Sequence, residues 1–301
     1  MHSTGYCLSL SDGCNWWITS DDDSRPILSQ LANIMNLKEC MSDGFYRLII
    51  CEYGSERYKE FMSIDESGKL INQSEWKIYK LKYSRVLHNN SSNTIIFENQ
   101  KKLDKITRYL NMWLSLHPIY LHSMMLGGLP FHAGLAELDG KAVLFAARGG
   151  TGKSTCCRRL PNDWKVLCDD EALAVMGKSG EYMVHPFPTW SDYFMDREKK
   201  IWDVQYSAPL SAIFFIEQAE KDDVIPISLG RSVMAITDSS YQVLNKFEVG
   251  MIEQEKIELR SEIFRKAHDM AKKIPCYRLQ VSLDGSFWEE IEKIIRKLRL
   301  F

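Results

Sequence analysis

The sequence has no C-x-x-C pair among its eight cysteines and no cysteine–histidine spacing of the zinc kind, which argues against a structural zinc site. It has no large surplus of either charge. A net charge of −2 gives no electrostatic reason to expect a nucleic-acid partner. It also lacks an unbroken apolar run of membrane-spanning length: the longest candidate, Trp113 to Leu129, is interrupted by His117, Pro118 and His122. No apolar signal-peptide core follows the start, where Asp21-Asp22-Asp23 would be out of place. No internal repeat or catalytic cluster is visible in residues 1 to about 100. These absences leave an ordinary globular composition, 45% hydrophobic and 26% charged. The expectation is a cytoplasmic protein whose thiols act as small hydrophobes in a reducing compartment, with no membrane and no nucleic acid as partner. A homo-oligomer is left open.

What is present centres on Phe131 to Val175. Lys141 to Ala147 is an apolar run of strand length, Ala147 to Thr155 reads ARGGTGKST, and a short helical stretch then stops at Pro161. Strand, glycine-rich turn, Lys-Ser and helix start make the pattern of a phosphate-binding loop. Gly149, Gly150 and Gly152 let successive amides turn toward phosphate oxygens, and the helix start adds its positive dipole end. The expected nucleotide contacts run from Gly149, Gly150, Thr151 and Gly152 through Lys153, Ser154 and Thr155. Lys153 would reach the β- and γ-phosphates, and the Ser154 hydroxyl would ligate Mg²⁺. Ala147 stands where the pattern has its first glycine, a substitution that fails only if that residue needs a positive φ.

Asp169 and Asp170 follow the apolar run Trp164 to Cys168, sixteen and seventeen residues after Lys153. One carboxylate can hold Mg²⁺ while the other takes a proton from an attacking hydroxyl. A solvated acidic turn is the bland alternative; the position behind a phosphate loop favours function.

Phe131-His132, the turn at Asp139-Gly140, the loop and the Asp pair together resemble the C-terminal domain of HPr kinase/phosphorylase and, more distantly, the nucleotide site of phosphoenolpyruvate carboxykinase. The likeness covers about Leu126 to Phe187. The opening GYCLSLSDGCNWWI, the VHPFPTW at Val184 to Trp190 and the ending IPCYRLQVSLDGSFWEEIEK narrow it. They resemble the kinase-type proteins of the SynChlorMet peptide-modification cassette. The resemblance implies a kinase using ATP and Mg²⁺ on a Ser or Thr hydroxyl of a peptide or small protein. It carries over His132, Gly149, Gly150, Gly152, Lys153, Ser154, Asp169 and Asp170.

The expected fold is α/β with a mixed sheet: a phosphate-loop domain over 128–301, a smaller α+β recognition or scaffold domain over 1–100, and a helical bridge over 101–127. In the first part, strands are expected at Cys7–Leu10, Trp16–Thr19, Phe45–Tyr53, Trp76–Val86 and Thr94–Phe97, with a turn at Glu66-Ser67-Gly68. A helix capped by Ser24 runs to about Leu37, with Pro26 in its first turn and Ile27, Leu28, Leu31, Ile34 and Met35 on one face, and the bridge breaks at Pro118. After the acids come a hairpin around Gly177 to Gly180 and a stiff His185-Pro186-Phe187-Pro188 loop that could shape a substrate groove or be a strand end under a loop. A buried strand at Ala208–Glu217 and an amphipathic helix at Phe287–Leu300 complete the pattern.

On the motif and the resemblance together, Asp169 is assigned as the general base, Ser154 and Asp170 position Mg²⁺, Lys153 holds the β- and γ-phosphates, and His132 supports the transferring group. The two Asp roles are interchangeable on sequence alone. Arg148, Arg197 and Arg231 are candidates for extra charge on the γ-phosphate, and Glu171 could assist the metal or pair with a lysine. The competing readings are a non-catalytic ATP-binding subunit and a kinase of a free metabolite such as serine.

Overall fold

A computed structural model describes residues 5–41, 46–55, 58–60, 76–81, 84–89, 91–100, 103–197 and 200–298. The expected turn at Glu66-Ser67-Gly68 lies outside them. The chain is α/β with two mixed sheets, divided between two units. The first comprises Met1–Ile119, Trp190–Gln205 and Phe247–Gln254; the second comprises Tyr120–Thr189, Tyr206–Lys246 and Glu255–Phe301.

In the first unit the strands are β1 (Gly5–Ser9), β2 (Asn15–Ser20), β3 (Lys38–Cys40), β4 (Tyr46–Glu52), β5 (Trp76–Lys80), β6 (Ser84–Asn89) and β7 (Thr94–Asn99). They lie in the order β3-β1-β2-β4-β7-β6-β5, with β2, β4 and β7 parallel. Helix α1 (Arg25–Ile34) has Pro in its first turn and buries Leu28, Leu31 and Ile34 as the periodicity requires; Met35 at its C-cap is also buried, Ile27 is only half-buried, and the helix stops short of Leu37. The Ser24 hydroxyl does not cap it; instead the Ser24 amide donates to Asp21 Oδ1 at 2.8 Å. The single strand expected over Trp76–Val86 is two, β5 and β6, folded back antiparallel with Leu81 N–H donating to Ser84 C=O. Alternation along a sequence cannot reveal that reversal, because both arms keep the same period of two.

Cys7 and Cys40 form a disulfide between β1 and β3, so the reading of every cysteine as a thiol is corrected. The other six are free and buried. The pair carries no sequence motif because antiparallel pairing of β1 with β3, rather than spacing, brings it together. Helix α2 (Lys105–Leu114) starts at Asp104, whose carboxylate accepts from the Ile106 and Thr107 amides. The bridge then breaks at Ser115-Leu116. Pro118 is the second residue of α3 (His117–Met125), where its missing N–H costs no helical bond.

The second unit holds β8 (Leu129–Leu138), β9 (Lys141–Ala146), α4 (Lys153–Arg159), β10 (Lys165–Cys168), β11 (Glu171–Met176) and β12 (Tyr182–Phe187). A short helix α5 (Trp190–Phe194) of the first unit follows, and then β13 (Ala208–Gln218), β14 (Asp223–Pro226), α6 (Leu229–Leu244), α7 (Glu253–Ala271), β15 (Cys276–Val281) and α8 (Phe287–Leu298). Two strands change partners along their length. β8 pairs with β11 through His132 and with β9 from Ala133 onward. β13 passes from β12 to β9 and then to β15. The pairings β8–β9–β13–β12–β11–β8 therefore close on themselves.

Phe145, Phe214, Leu279, Phe287, Ile291 and Ile295 are central to this unit's core, so the apolar stripe of α8 is spent on packing as its spacing indicates. The β11–β12 hairpin turns as expected at Gly177–Gly180, with Gly180 at φ +85°. His185, Pro186 and Phe187 are buried residues of β12, so of the two readings of that segment the strand end is the one observed. Among the described residues the pairing of β12 with β13 runs through Met183 and Val184 and does not reach Pro186, so no ladder bond on that side is lost to the proline.

Candidate phosphate-transfer site

β9 ends at Ala146 and α4 begins at Lys153, leaving Ala147 to Gly152 as the connecting loop. Gly150 (φ +79°) and Gly152 (φ +116°) occupy the left-handed region, where a side chain would strain the backbone. Ala147 is not among the residues with positive φ, so alanine is accommodated where the pattern has its first glycine. Above the loop there is room: a Cβ added to Gly149, Gly150 or Gly152 would meet nothing within 4 Å. The first turn of α4 closes with Cys156 N–H donating to Gly152 C=O at 2.8 Å.

Lys153 is buried at the foot of this loop. Its ammonium donates to Ala147 C=O at 2.8 Å and Arg148 C=O at 3.3 Å, and lies 2.9 Å from His132 Nε2. His132 Nδ1 in turn lies 3.1 Å from Asp170 Oδ1. With Nε2 accepting from the ammonium, Nδ1 carries the proton and donates to the carboxylate. Three residues far apart in the chain thus form one connected line, Lys153–His132–Asp170. The topology explains it. His132 is the last residue of β8 paired with β11, while β10 and β11 both pair with β8 and are joined only by Asp169-Asp170. Ala133 N–H donating to Asp170 C=O at 2.9 Å fixes the bend against β8.

Burial lowers the Lys153 pKa from its ordinary value, against the attraction of Asp170 and Asp169. Burial pushes the Asp170 carboxyl up, but the His132 hydrogen bond and the Lys246 and Lys153 charges outweigh it and hold it below the usual range.

Asp169 turns to a different partner: Thr189 Oγ1 donates to its Oδ1 at 2.7 Å. Glu171 is buried, accepts from the Tyr120 hydroxyl at 3.1 Å and lies 3.7 Å from Lys246 Nζ, so it pairs with a lysine. Ser154 is half-buried beside Lys153, and Thr155 is exposed with its hydroxyl accepting from Arg158. Thr151 N–H turns back to Arg148 C=O.

The arginine candidates are not gathered at this cluster. Arg148 is exposed, 3.4 Å from Asp238; Arg197 pairs with Asp192 in the first unit; and Arg231 is exposed on α6. Sequence reasoning missed Thr189, Lys246 and Gly134. A Cβ on Gly134 would come within 2.5 Å of Cys157 Sγ, so β8 needs glycine there for α4 to lie against it. Thr189 lies inside the VHPFPTW stretch but nothing there singles it out, and Lys246 and Gly134 carry no motif; the strand register reveals Thr189 and Gly134.

A family model described as SynChlorMet cassette protein ScmC matches residues 95–296. Among solved structures, the chain is similar to the HPr(Ser) kinase/phosphatase from Coxiella burnetii. That match is 12% identical and covers 57% of this chain and 96% of the other, with a TM-score of 0.29. No curated protein matches the chain.

Proposed function

The chain belongs to the SynChlorMet cassette protein ScmC family, and on that premise we propose that it is an ATP-dependent kinase acting on a Ser or Thr hydroxyl of a peptide or small protein. The observation that supports this most is the Lys153–His132–Asp170 line at the foot of an open glycine loop. Phosphoryl transfer asks for little else: a polyphosphate cradle, fixed positive charge and a group to receive the acceptor's proton.

In this reading the amides of Gly149 to Thr155 and the Lys153 ammonium hold the β- and γ-phosphates. Lys153 now rests on two loop carbonyls and a histidine, a set of acceptors that phosphate oxygens can replace. Ser154 and Asp170 offer Mg²⁺ the hydroxyl and carboxylate oxygens it prefers. Among the described residues no group of three His, Cys, Asp or Glu side chains could hold an ion alone. An ion shared with nucleotide phosphates does not require one. When bound, Mg²⁺ offsets the negative charge gathered between the β- and γ-phosphates. His132 keeps Lys153 and Asp170 in fixed relation, and Asp169 receives the proton of the acceptor hydroxyl. Residues 128–301 would carry this chemistry, with 1–100 recognising or scaffolding the acceptor and 101–127 bridging.

The direct test is mass spectrometry of small peptides encoded beside the gene, incubated with the protein and Mg-ATP. A gain of one phosphate on a Ser or Thr supports the reading; ATP bound yet intact beside every peptide would favour a non-catalytic subunit. Phosphate on free serine instead would favour a metabolite kinase. Lys153→Ala and Asp169→Asn should each abolish transfer while leaving a folded protein, as judged by circular dichroism.

A further inference from the structure

Asp169 and Thr189 meet for a reason of register. β11 and β12 pair Glu171 with Phe187, and continuing that ladder two residues beyond each strand sets Asp169 opposite Thr189. On the other side β11 pairs Glu171 with His132, and the same continuation sets Asp169 opposite Gly134. There the Cβ position lies 3.7 Å from Asp169 Cα. One neighbour of Asp169 therefore has no side chain, and the other supplies a hydroxyl.

Thr189 is 3% exposed, so its O–H must end on a protein acceptor, and it ends on Asp169 Oδ1 at 2.7 Å. Among the described residues this is the one hydrogen bond made by the Asp169 side chain, which leaves Oδ2 without a partner. Asp170, by contrast, is committed to His132.

We infer that Thr189 is a positioning residue that engages one oxygen of Asp169 and thereby presents the other, Oδ2, to the acceptor hydroxyl. The inference rests on the kinase reading and separates the two acids: Asp169 faces the acceptor, Asp170 the Lys153 side. In the step itself the acceptor O–H proton passes to Asp169 Oδ2. The acceptor oxygen bonds to the γ-phosphorus as the bond from that phosphorus to the β–γ bridging oxygen breaks, and ADP leaves with the electron pair. Thr189 keeps its own proton throughout. Its contribution is orientation: a carboxylate free to rotate presents the right oxygen only part of the time.

The test compares Thr189→Val, which keeps the volume and removes the donor, with Thr189→Ser, which keeps the donor. The probes are Mg-ATP and a degenerate array of Ser- and Thr-containing peptides. The expected result is a kcat lowered about 10- to 100-fold in T189V with the KM for ATP within about twofold, and near wild-type kcat in T189S. A hydroxyl needed only for folding would lower the melting temperature without this split. Should T189V unfold, T189C takes its place with the same expected loss, since a thiol is a weak donor.

T189V turning over at the wild-type kcat would overturn the positioning role and leave the kinase reading standing. Phosphate found on Thr189 itself in wild-type protein would also overturn it, because the residue would then be an acceptor. No transfer by the wild type to any peptide would overturn both.

Discussion

Two individual residues show how far one side chain can set conditions for its surroundings. His117 at the start of α3 is buried, stacked on Phe247 with ring centroids 4.0 Å apart. Among the described residues its Nε2 has no hydrogen-bond partner. Burial lowers its pKa to about 3 from the ordinary 6.5 of a histidine. Above pH 6.5 both folded and unfolded chains carry it neutral, and nothing is lost. As the pH falls from 6.5 toward 3 the unfolded chain gains a proton that the folded one refuses, so stability declines. The full loss, on the order of 4 to 5 kcal/mol, is reached near pH 3. Urea unfolding across this window should show the decline, and His117→Phe should flatten it; an unchanged slope would contradict the assignment. Gly134 is the second case. Gly134→Ala drives a methyl into Cys157 Sγ and should cost about 1–3 kcal/mol. Adding Cys157→Ala should recover much of that in a double-mutant cycle, because the clash has one named partner.

At the scale of elements, what matters is how α4 is held under the loop it supports. It is only seven residues long, too short to be stable alone, so its position depends on tertiary anchors. Arg159 in its last turn donates to Ser282 C=O at 2.7 Å and to Gly285 C=O at 2.5 Å, with its guanidinium 5.2 Å from the Phe287 ring. It ties the helix behind the glycine loop to the segment between β15 and α8. Arg159→Ala should destabilise the protein by about 3 kcal/mol, since two charge-assisted bonds are lost and their carbonyls are left half-buried. On the proposed kinase reading it should also weaken ATP binding, read by calorimetry, through a loosened α4; Arg159→Lys should recover only part, lacking the fork that reaches both carbonyls.

For the molecule as a whole, the division of two sheets between two units leads to a test on the disulfide. Cys7 and Cys40 enclose a loop of 33 residues entirely within the first unit. Closing a loop of that length restricts the unfolded chain by about 3–4 kcal/mol. Cys7→Ser with Cys40→Ser should therefore lower the melting transition of the first unit in scanning calorimetry, while the rise on adding ATP that the proposed kinase reading expects in the second is unaffected. Equal loss in both transitions would mean that the units do not melt separately.

The chain's order of residues was enough to place the loop, the helix start at Lys153, the acids, most strands and the amphipathic C-terminal helix. Each of these is a local pattern: a period of two or 3.6, glycines at fixed offsets, or a lysine beside a serine. Pairing between distant segments was not legible. The hairpin inside Trp76–Val86, the Cys7–Cys40 bond, the Lys153–His132–Asp170 line and the Thr189 contact all depend on which strand lies beside which and in what register. Tertiary structure decided those because register is set by burying one face of many strands at once, a condition no single stretch of sequence contains.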